Sequence, residues 1–234
     1  MDAVREPLLI TRHDNHLIES LWTRQTQGTA AALAQTAGGF LTVALAATPE
    51  AQTHRLTLLN QPFRIADIVW VEFEVACAAT LEAEVRVAFG LCAAVNNVAP
   101  SIAEGIYYHQ VAAGELLINS TDGTTTQTNV TTGETLGVTF RRCRLNFRDQ
   151  AWLNDARDGG SVGGVDAIGA SVEQLRIGYN QLKPVARGTR FGLGAGTGPF
   201  NAFFQIHKTG GVHVTAAYFR NFTIATRNVP FAAV

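Results

Sequence analysis

Charge is scarce in this 234-residue chain: Asp, Glu, Lys and Arg make up 16% of it, and 18 basic against 19 acidic residues leave a net charge of −1. So even a balance removes the basic footprint of a protein that holds phosphate backbones, and nucleic acid is not an expected partner. Cysteine is equally scarce. Cys77, Cys92 and Cys143 are odd in number, sit among apolar or alternating residues and lack the close spacing of zinc ligands, so they read as reduced core thiols with no disulfide. A secretion leader is not expected either, because MDAVREPLLITRHDNH contains acidic residues and only the short apolar run Leu8 to Ile10. The chain is therefore expected to fold in a cytoplasm.

Long apolar runs are absent too. The uncharged stretch from Gln25 to Pro49 raises the question of a membrane span, but Gln27, Gln35, its threonines and Gly38-Gly39 argue against the roughly 20 apolar residues a span requires. It reads instead as an Ala-rich turn or short helix, broken at Gly38-Gly39 and followed by a strand from Phe40 to Ala46.

What is present is a hydrophobic content of 47%, enough for a sizeable core, arranged mostly with a period of two. In Ile68 to Val75 the positions Val69, Val71, Phe73 and Val75 alternate with Trp70, Glu72 and Glu74, as in a half-buried strand. Similar strands are read over His54 to Asn60, Glu84 to Gly90, Gly137 to Phe147, Glu173 to Tyr179, Ala202 to Lys208 and Val214 to Ile224. In Gly137 to Phe147, Cys143, Leu145 and Phe147 share one face and Arg142, Arg144 and Asn146 the other. Gly105 to Val111 and Gly114 to Asn119 form a hairpin across Ala112-Ala113, and Asp122-Gly123 sends Thr124 to Val130 back beside it. Gly210-Gly211 is expected to make a hairpin of the last two strands. Residues 155–169 are rich in glycine and aperiodic, which predicts a long surface loop and the favoured place for a functional insertion. About ten strands without a linker predict an all-β fold, two antiparallel sheets packed face to face as a jelly-roll sandwich over residues 21–226. Residues 1–20 would be an extended arm that orders on a partner, since Leu8 to Ile10 and Leu17-Ile18 give it little to bury. Residues 227–234 would be a tail.

The run Glu173-Gln-Leu-Arg-Ile-Gly-Tyr-Asn180, then Pro184-Val-Ala, and Pro199-Phe-Asn-Ala-Phe-Phe-Gln-Ile-His-Lys-Thr-Gly-Gly211 resembles the C-terminal part of the concanavalin A-like lectin and glucanase jelly roll. Tyr218-Phe-Arg-Asn-Phe-Thr-Ile224 takes the closing position. Gly38-Gly39-Phe-Leu, Gln61-Pro-Phe63, Trp70-Val-Glu-Phe-Glu-Val75 and Val87-Ala-Phe-Gly-Leu91 match the earlier order. Versions of this domain without catalytic machinery resemble structural proteins of tailed bacteriophages, including those that decorate the capsid.

Glu72 and Glu74 project from one strand face about 6.6 Å apart, so paired-carboxylate glycosidase chemistry must be weighed. The glucanase pattern resembles Glu-x-Asp-x-(x)-Glu on one strand, and Val71-Glu-Phe-Glu-Val-Ala76 lacks the third carboxylate. These glutamates are expected to face Arg142 and Arg144 across a sheet as ordinary ion pairs. Lectins of this architecture hold sugar beside calcium and a transition metal, for which Asp149, Asn154, Asp155 and Asp158 are the comparable local group. His13 and His16 lie in the arm, while His54, His109, His207 and His213 stand singly, without zinc spacing. Gly192 to Gly198 lacks the Lys of a phosphate loop, and no nucleophile elbow is present. Asn119, Asn129 and Asn221 head glycosylation-type triplets that chance explains in a Thr-rich chain.

No catalytic residue, metal site or cofactor is therefore assigned, and no partner-binding residue can be named. The expectation is a non-enzymatic virion protein, assembled in the host cytoplasm, that decorates or cements the capsid. Its partners would be the major capsid protein or another virion protein, and copies of itself in a homo-oligomer, with no membrane. The alternative is a lectin-like virion module that holds a host glycan, and the third reading is a glucanase-like hydrolase.

Overall fold

The computed structural model describes residues 8–13, 22–29, 33–35, 40–58, 63, 68–93, 102, 104–122, 126–147, 169–176, 179–185, 191, 193 and 200–227. They form fifteen strands and no helix. In chain order these are β1 (Leu8–His13), β2 (Trp22–Gln27), β3 (Leu33–Gln35), β4 (Leu41–Ala44), β5 (Gln52–Leu58), β6 (Ile68–Cys77), β7 (Val85–Cys92) and β8 (Glu104–Val111). There follow β9 (Leu117–Asp122), β10 (Thr126–Thr131), β11 (Arg141–Asn146), β12 (Gly169–Arg176), β13 (Tyr179–Pro184), β14 (Asn201–Lys208) and β15 (Ala216–Arg227). One sheet has eight strands in the order β13-β12-β11-β6-β15-β4-β3, with β1 also on β15, and the other has seven in the order β10-β9-β8-β7-β14-β5-β2. All pairings are antiparallel, so the chain is a two-sheet jelly-roll sandwich as the alternation predicts.

The core follows the parity of the strands. Val71, Phe73 and Val75 of β6 point inward, as do Val85, Val87, Phe89 and Leu91 of β7 and Ala202, Phe204 and Ile206 of β14. Phe204 stacks on Phe219 of the opposite sheet with centroids 5.1 Å apart, and Phe73 meets Phe89 at 5.6 Å. Each such ring contributes roughly 1.5–3 kcal/mol when fully buried. Tyr108 enters the same core, stacks on Phe89 at 5.3 Å and donates its hydroxyl proton to the Arg144 carbonyl, 2.7 Å away. Cys77, Cys92 and Cys143 are buried and in no disulfide, and burial pushes Cys77 and Cys92 up to about 12, far from reactive thiolates.

Several expectations change. β14 and β15 do not form a hairpin: β14 lies between β7 and β5, β15 between β6 and β4, and the Gly210-Gly211 link carries the chain from one sheet to the other. Buried Lys208 anchors that crossing, donating from its ammonium to the carbonyls of Ala46 (2.7 Å), Thr48 (2.5 Å) and Gly211 (2.9 Å). Glycine pairs permit a sharp turn, but whether it closes a hairpin or changes sheets depends on which edges lie open. The Ala-rich turn or short helix is replaced, over its described residues, by strands β2 and β3. β2 pairs with β5 and β3 with β4, so long-range pairing outweighs the local helix preference of alanine.

The free arm expected over residues 1–20 differs for Leu8–His13, which pair with β15 from Phe222 to Arg227. β4 covers only Ala216–Phe219 on that side of β15, and β1 continues along the same edge, so backbone groups are satisfied that apolar burial alone would not order. The expected loop ends at Gly169, where β12 begins; residues 155–168 lie outside the described residues. No helix among the described residues is long and apolar enough to cross a membrane.

Candidate functional site: the outer face of the seven-stranded sheet

Inward apolar parity leaves the opposite parity of each strand on the outer face. On the seven-stranded sheet the registers align these positions in rows that cross five or more strands. One row runs Gln27, Thr53, His207, Arg86, Val111. The next runs Gln25, Arg55, Gln205, Ala88, His109, Leu117. A third runs Thr23, Thr57, Phe203, Gly90, Tyr107, Asn119.

This face is polar yet closely packed. Thr53, Arg55, Thr57, Gln205 and His207 are all buried. The Arg55 Nε donates to Gln205 Oε1 at 2.8 Å, and the Thr53 hydroxyl meets His207 Nδ1 at 2.9 Å. Asn119 donates from Nδ2 to the Tyr107 hydroxyl at 3.3 Å. Beside them a cleft of about 200 Å³ is lined by Gln25, Thr26, Gln27, Thr53 and Arg55. Farther along, Phe203, Cys92, Ala88 and Ile102 make a small apolar cluster against Tyr107, although these side chains point away from the main core. Gly90 lies between Phe203 and Tyr107 because a Cβ there would come within 2.5 Å of the Tyr107 Cα.

Several polar atoms on this face are buried without a partner: Gln25 Oε1, Thr57 Oγ1, His109 Nε2, Asn119 Oδ1 and His207 Nε2. Native proteins seldom leave such groups unmet, because each costs about 1–3 kcal/mol, so these atoms are open to hydrogen bonds from water or a polar ligand. Burial, and after it Arg86, lowers His109 to about 4 and lowers His207, so both imidazoles are neutral near pH 7 and can donate or accept. Within the strands, the outward positions whose side chains are described carry no Asp or Glu; Glu115, just before β9, is the acid beside this face and accepts from the Thr131 hydroxyl of β10. A face of amides, hydroxyls, neutral imidazoles and aromatic edges can bind and orient polar hydroxylated groups, but among its described residues there is no acid/base pair of carboxylates.

Glu72 and Glu74 lie elsewhere, on the outer face of the eight-stranded sheet, opposite Arg144 and Arg142 in register as the sequence suggests. Arg144 donates from Nε and Nη2 to Glu72 Oε2 at 2.9 and 2.8 Å, and Arg142 approaches the other oxygen at 3.8 Å. Glu74 accepts from Arg220 Nε at 2.7 Å and Asn221 Nδ2 at 3.0 Å. Arg144 lies 4.4 Å over the Trp70 ring and Arg220 3.9 Å over Phe140. Both carboxylates are held by cations rather than directed at a substrate.

Among the described residues no three His, Cys, Asp or Glu side chains cluster to hold a metal ion. The group Asp149, Asn154, Asp155 and Asp158 lies outside the described residues, as do His16 and the glycines of 192–198. His13 is in β1, and His213 pairs with Glu82 at the end of the sandwich. Asn119 is on the outer polar face, Asn129 is exposed on β10, and Asn221 supports Glu74. Reading the sequence alone noted His109 and His207 only as single residues and passed over Arg55, Gln205, Thr53 and Arg86. The signal lay in parity, since Gln205 and His207 alternate with core-facing Phe204 and Ile206.

No family model matches the chain, and no curated protein sequence does. Solved structures do. The lectin UEA-II in complex with galactose is similar at a TM-score of 0.59 and 10% identity, covering 93% of this chain and 98% of the lectin. A protein of unknown function from Shewanella oneidensis MR-1 gives 0.53 at 11% identity, covering 97% and 90%. The Bacillus licheniformis β-glucanase gives 0.51 at 10% identity, covering 92% and 97%. The chain therefore has the concanavalin A-like lectin and glucanase fold; identities this low carry the architecture and not the activity.

Proposed function

We propose that this protein is a non-catalytic recognition module of a virion that binds a glycan on the outer face of its seven-stranded sheet. The observation that supports it is the set of buried, unpartnered polar atoms on that face, from Gln25, Thr57, His109 and His207, beside the cleft at Arg55. Saccharides present dense arrays of hydroxyls that both donate and accept, which matches amide, hydroxyl and neutral imidazole partners. The non-catalytic part rests on the pairing of Glu72 and Glu74 with arginines and on the lack of a carboxylate pair at the described outward strand positions. The virion setting rests on the resemblance of the sequence to phage structural domains. A glycan array with wild type and Gln205→Ala tests the reading. Binding that the variant loses supports it, and wild type that binds no glycan overturns it. Hydrolysis of a β-glucan by wild type, lost on Glu72→Gln with Glu74→Gln, overturns the non-catalytic part.

Capsid decoration is favoured by a different observation. Among the described residues the exposed large apolar side chains are Val111, at the end of β8, and Val138, Val212 and Val214, in links at the same end of the sandwich. Ala112 there donates to Val85, Cys77 to Gly137 and Ala78 to Ala216, which brings those links together. A docking contact of this kind needs roughly 1,200–2,000 Å² of buried surface. Capsids lacking the protein, mixed with wild type or with Val138→Ser plus Val214→Ser, test this reading. Occupancy lost with the double variant supports it, and equal occupancy removes it.

A further inference from the structure

We propose that the ligand is acidic, a saccharide bearing a carboxylate, and that Arg86 binds that carboxylate at the open edge of the polar face. This deepens the glycan reading and rests on it.

Arg86 lies near the start of β7, directly between His207 of β14 and Val111 of β8. It is exposed and makes no ion pair among the described residues. Arg141, Arg142, Arg144 and Arg220, by contrast, are each matched to a glutamate. The nearest acid in sequence, Glu84, has its carboxylate beside Gly210 instead.

The surroundings of Arg86 favour an anion. Its field reaches His109, His207 and Tyr107, and Arg55 is in the next row. The outward strand positions around it carry Arg86 and Arg55 and no acid, and Glu115, just before β9, is taken up by the Thr131 hydroxyl of β10, so this part of the face is locally positive in a chain whose net charge is −1. The buried Nε2 atoms of His207 and His109 flank the position, and His207 is already oriented by the Thr53 hydroxyl. A guanidinium offers a planar fork that fits a carboxylate with two parallel hydrogen bonds. The sugar hydroxyls next to that carboxylate would then lie over Thr53, His207 and the cleft beyond. A neutral saccharide would meet the hydroxyl-binding part and leave the fork to water.

Titration calorimetry on the full chain separates the two levels of this reading. The probes are tetragalacturonate and 3′-sialyllactose, each beside a neutral counterpart, carboxyl-reduced tetragalacturonate and lactose. Wild type is expected to bind at least one acidic probe about tenfold more tightly than its counterpart, with the preference shrinking as salt is raised. Arg86→Gln should bring the acidic probe down to the affinity of the neutral one, and Arg86→Glu should take it lower still. Because Arg86 is exposed and has no ion-pair partner among the described residues to lose, circular dichroism of both variants should match wild type. Equal binding of acidic and neutral probes by wild type overturns the acidic class while leaving the glycan reading in place. A preference that survives Arg86→Gln overturns the role of Arg86, and binding of none of the probes overturns the acidic class together with the glycan reading.

Discussion

On the outer face of the eight-stranded sheet, Arg142, Arg144 and Arg220 end against Glu72 or Glu74, and Trp70 and Phe140 roof two of them. On the outer face of the seven-stranded sheet, Arg86 ends in solvent, Arg55 lies buried against the Gln205 amide, and imidazole, amide and hydroxyl atoms are left without partners. Both faces are made by the same alternation of strand residues. The difference lies chiefly in how their charges are met: a face whose charges cancel internally gains little by binding, while one that keeps a cation and several buried donors and acceptors unmet among the described residues gains from any ligand that meets them.

The most disruptive way to break this comparison is to fill the small-residue position on the seven-stranded sheet. Gly90→Val would push its side chain into the β8 backbone at Tyr107, and should cost about 3 kcal/mol of stability. Denaturant unfolding measures it; a midpoint equal to wild type would mean that the outer face is looser than described.

Next in size is the acid response. His54 and His109 are lowered to about 4, in both cases chiefly by burial, against the ordinary 6.5. The unfolded chain accepts protons that the folded protein resists, so stability is complete above about pH 6.5 and is lost progressively as pH falls towards 4. The thermal midpoint should fall across that window, and His109→Gln should flatten part of the slope. An unchanged slope would remove His109 from the account.

A smaller effect is expected from the completed face. A double-mutant cycle on Glu72 and Arg144 should give a coupling of about 0.5–1 kcal/mol, as partly exposed ion pairs do. A coupling near zero would show that the ladder is decorative, and it would weaken the contrast between the two faces. The smallest effect belongs to the exposed end. Val138→Ser, at a residue 71% exposed, should shift stability by no more than about 0.5 kcal/mol. A larger loss would mean that this valine is held by the fold instead of being offered to a partner.

The alternation of Ile68 to Val75 and Gly137 to Phe147 was enough to name the core faces of β6 and β11 and to set Glu72 and Glu74 opposite Arg144 and Arg142. That much is legible because the direction of a strand side chain depends only on parity along its own segment. The hairpins from β8 to β10 were legible for a similar reason: their partners are neighbours in sequence and their turn residues lie between them. Tertiary structure alone decided that Gly210-Gly211 changes sheets, that β1 extends the β15 edge, and that β14 lies between β5 and β7. Those choices assembled the site. Arg55 and Gln205 are separated by 150 positions, and Thr53 and His207 by 154. A row of polar residues becomes a binding face only when strands distant in the chain become neighbours, and that follows from which edges and apolar faces the whole sandwich can satisfy at once.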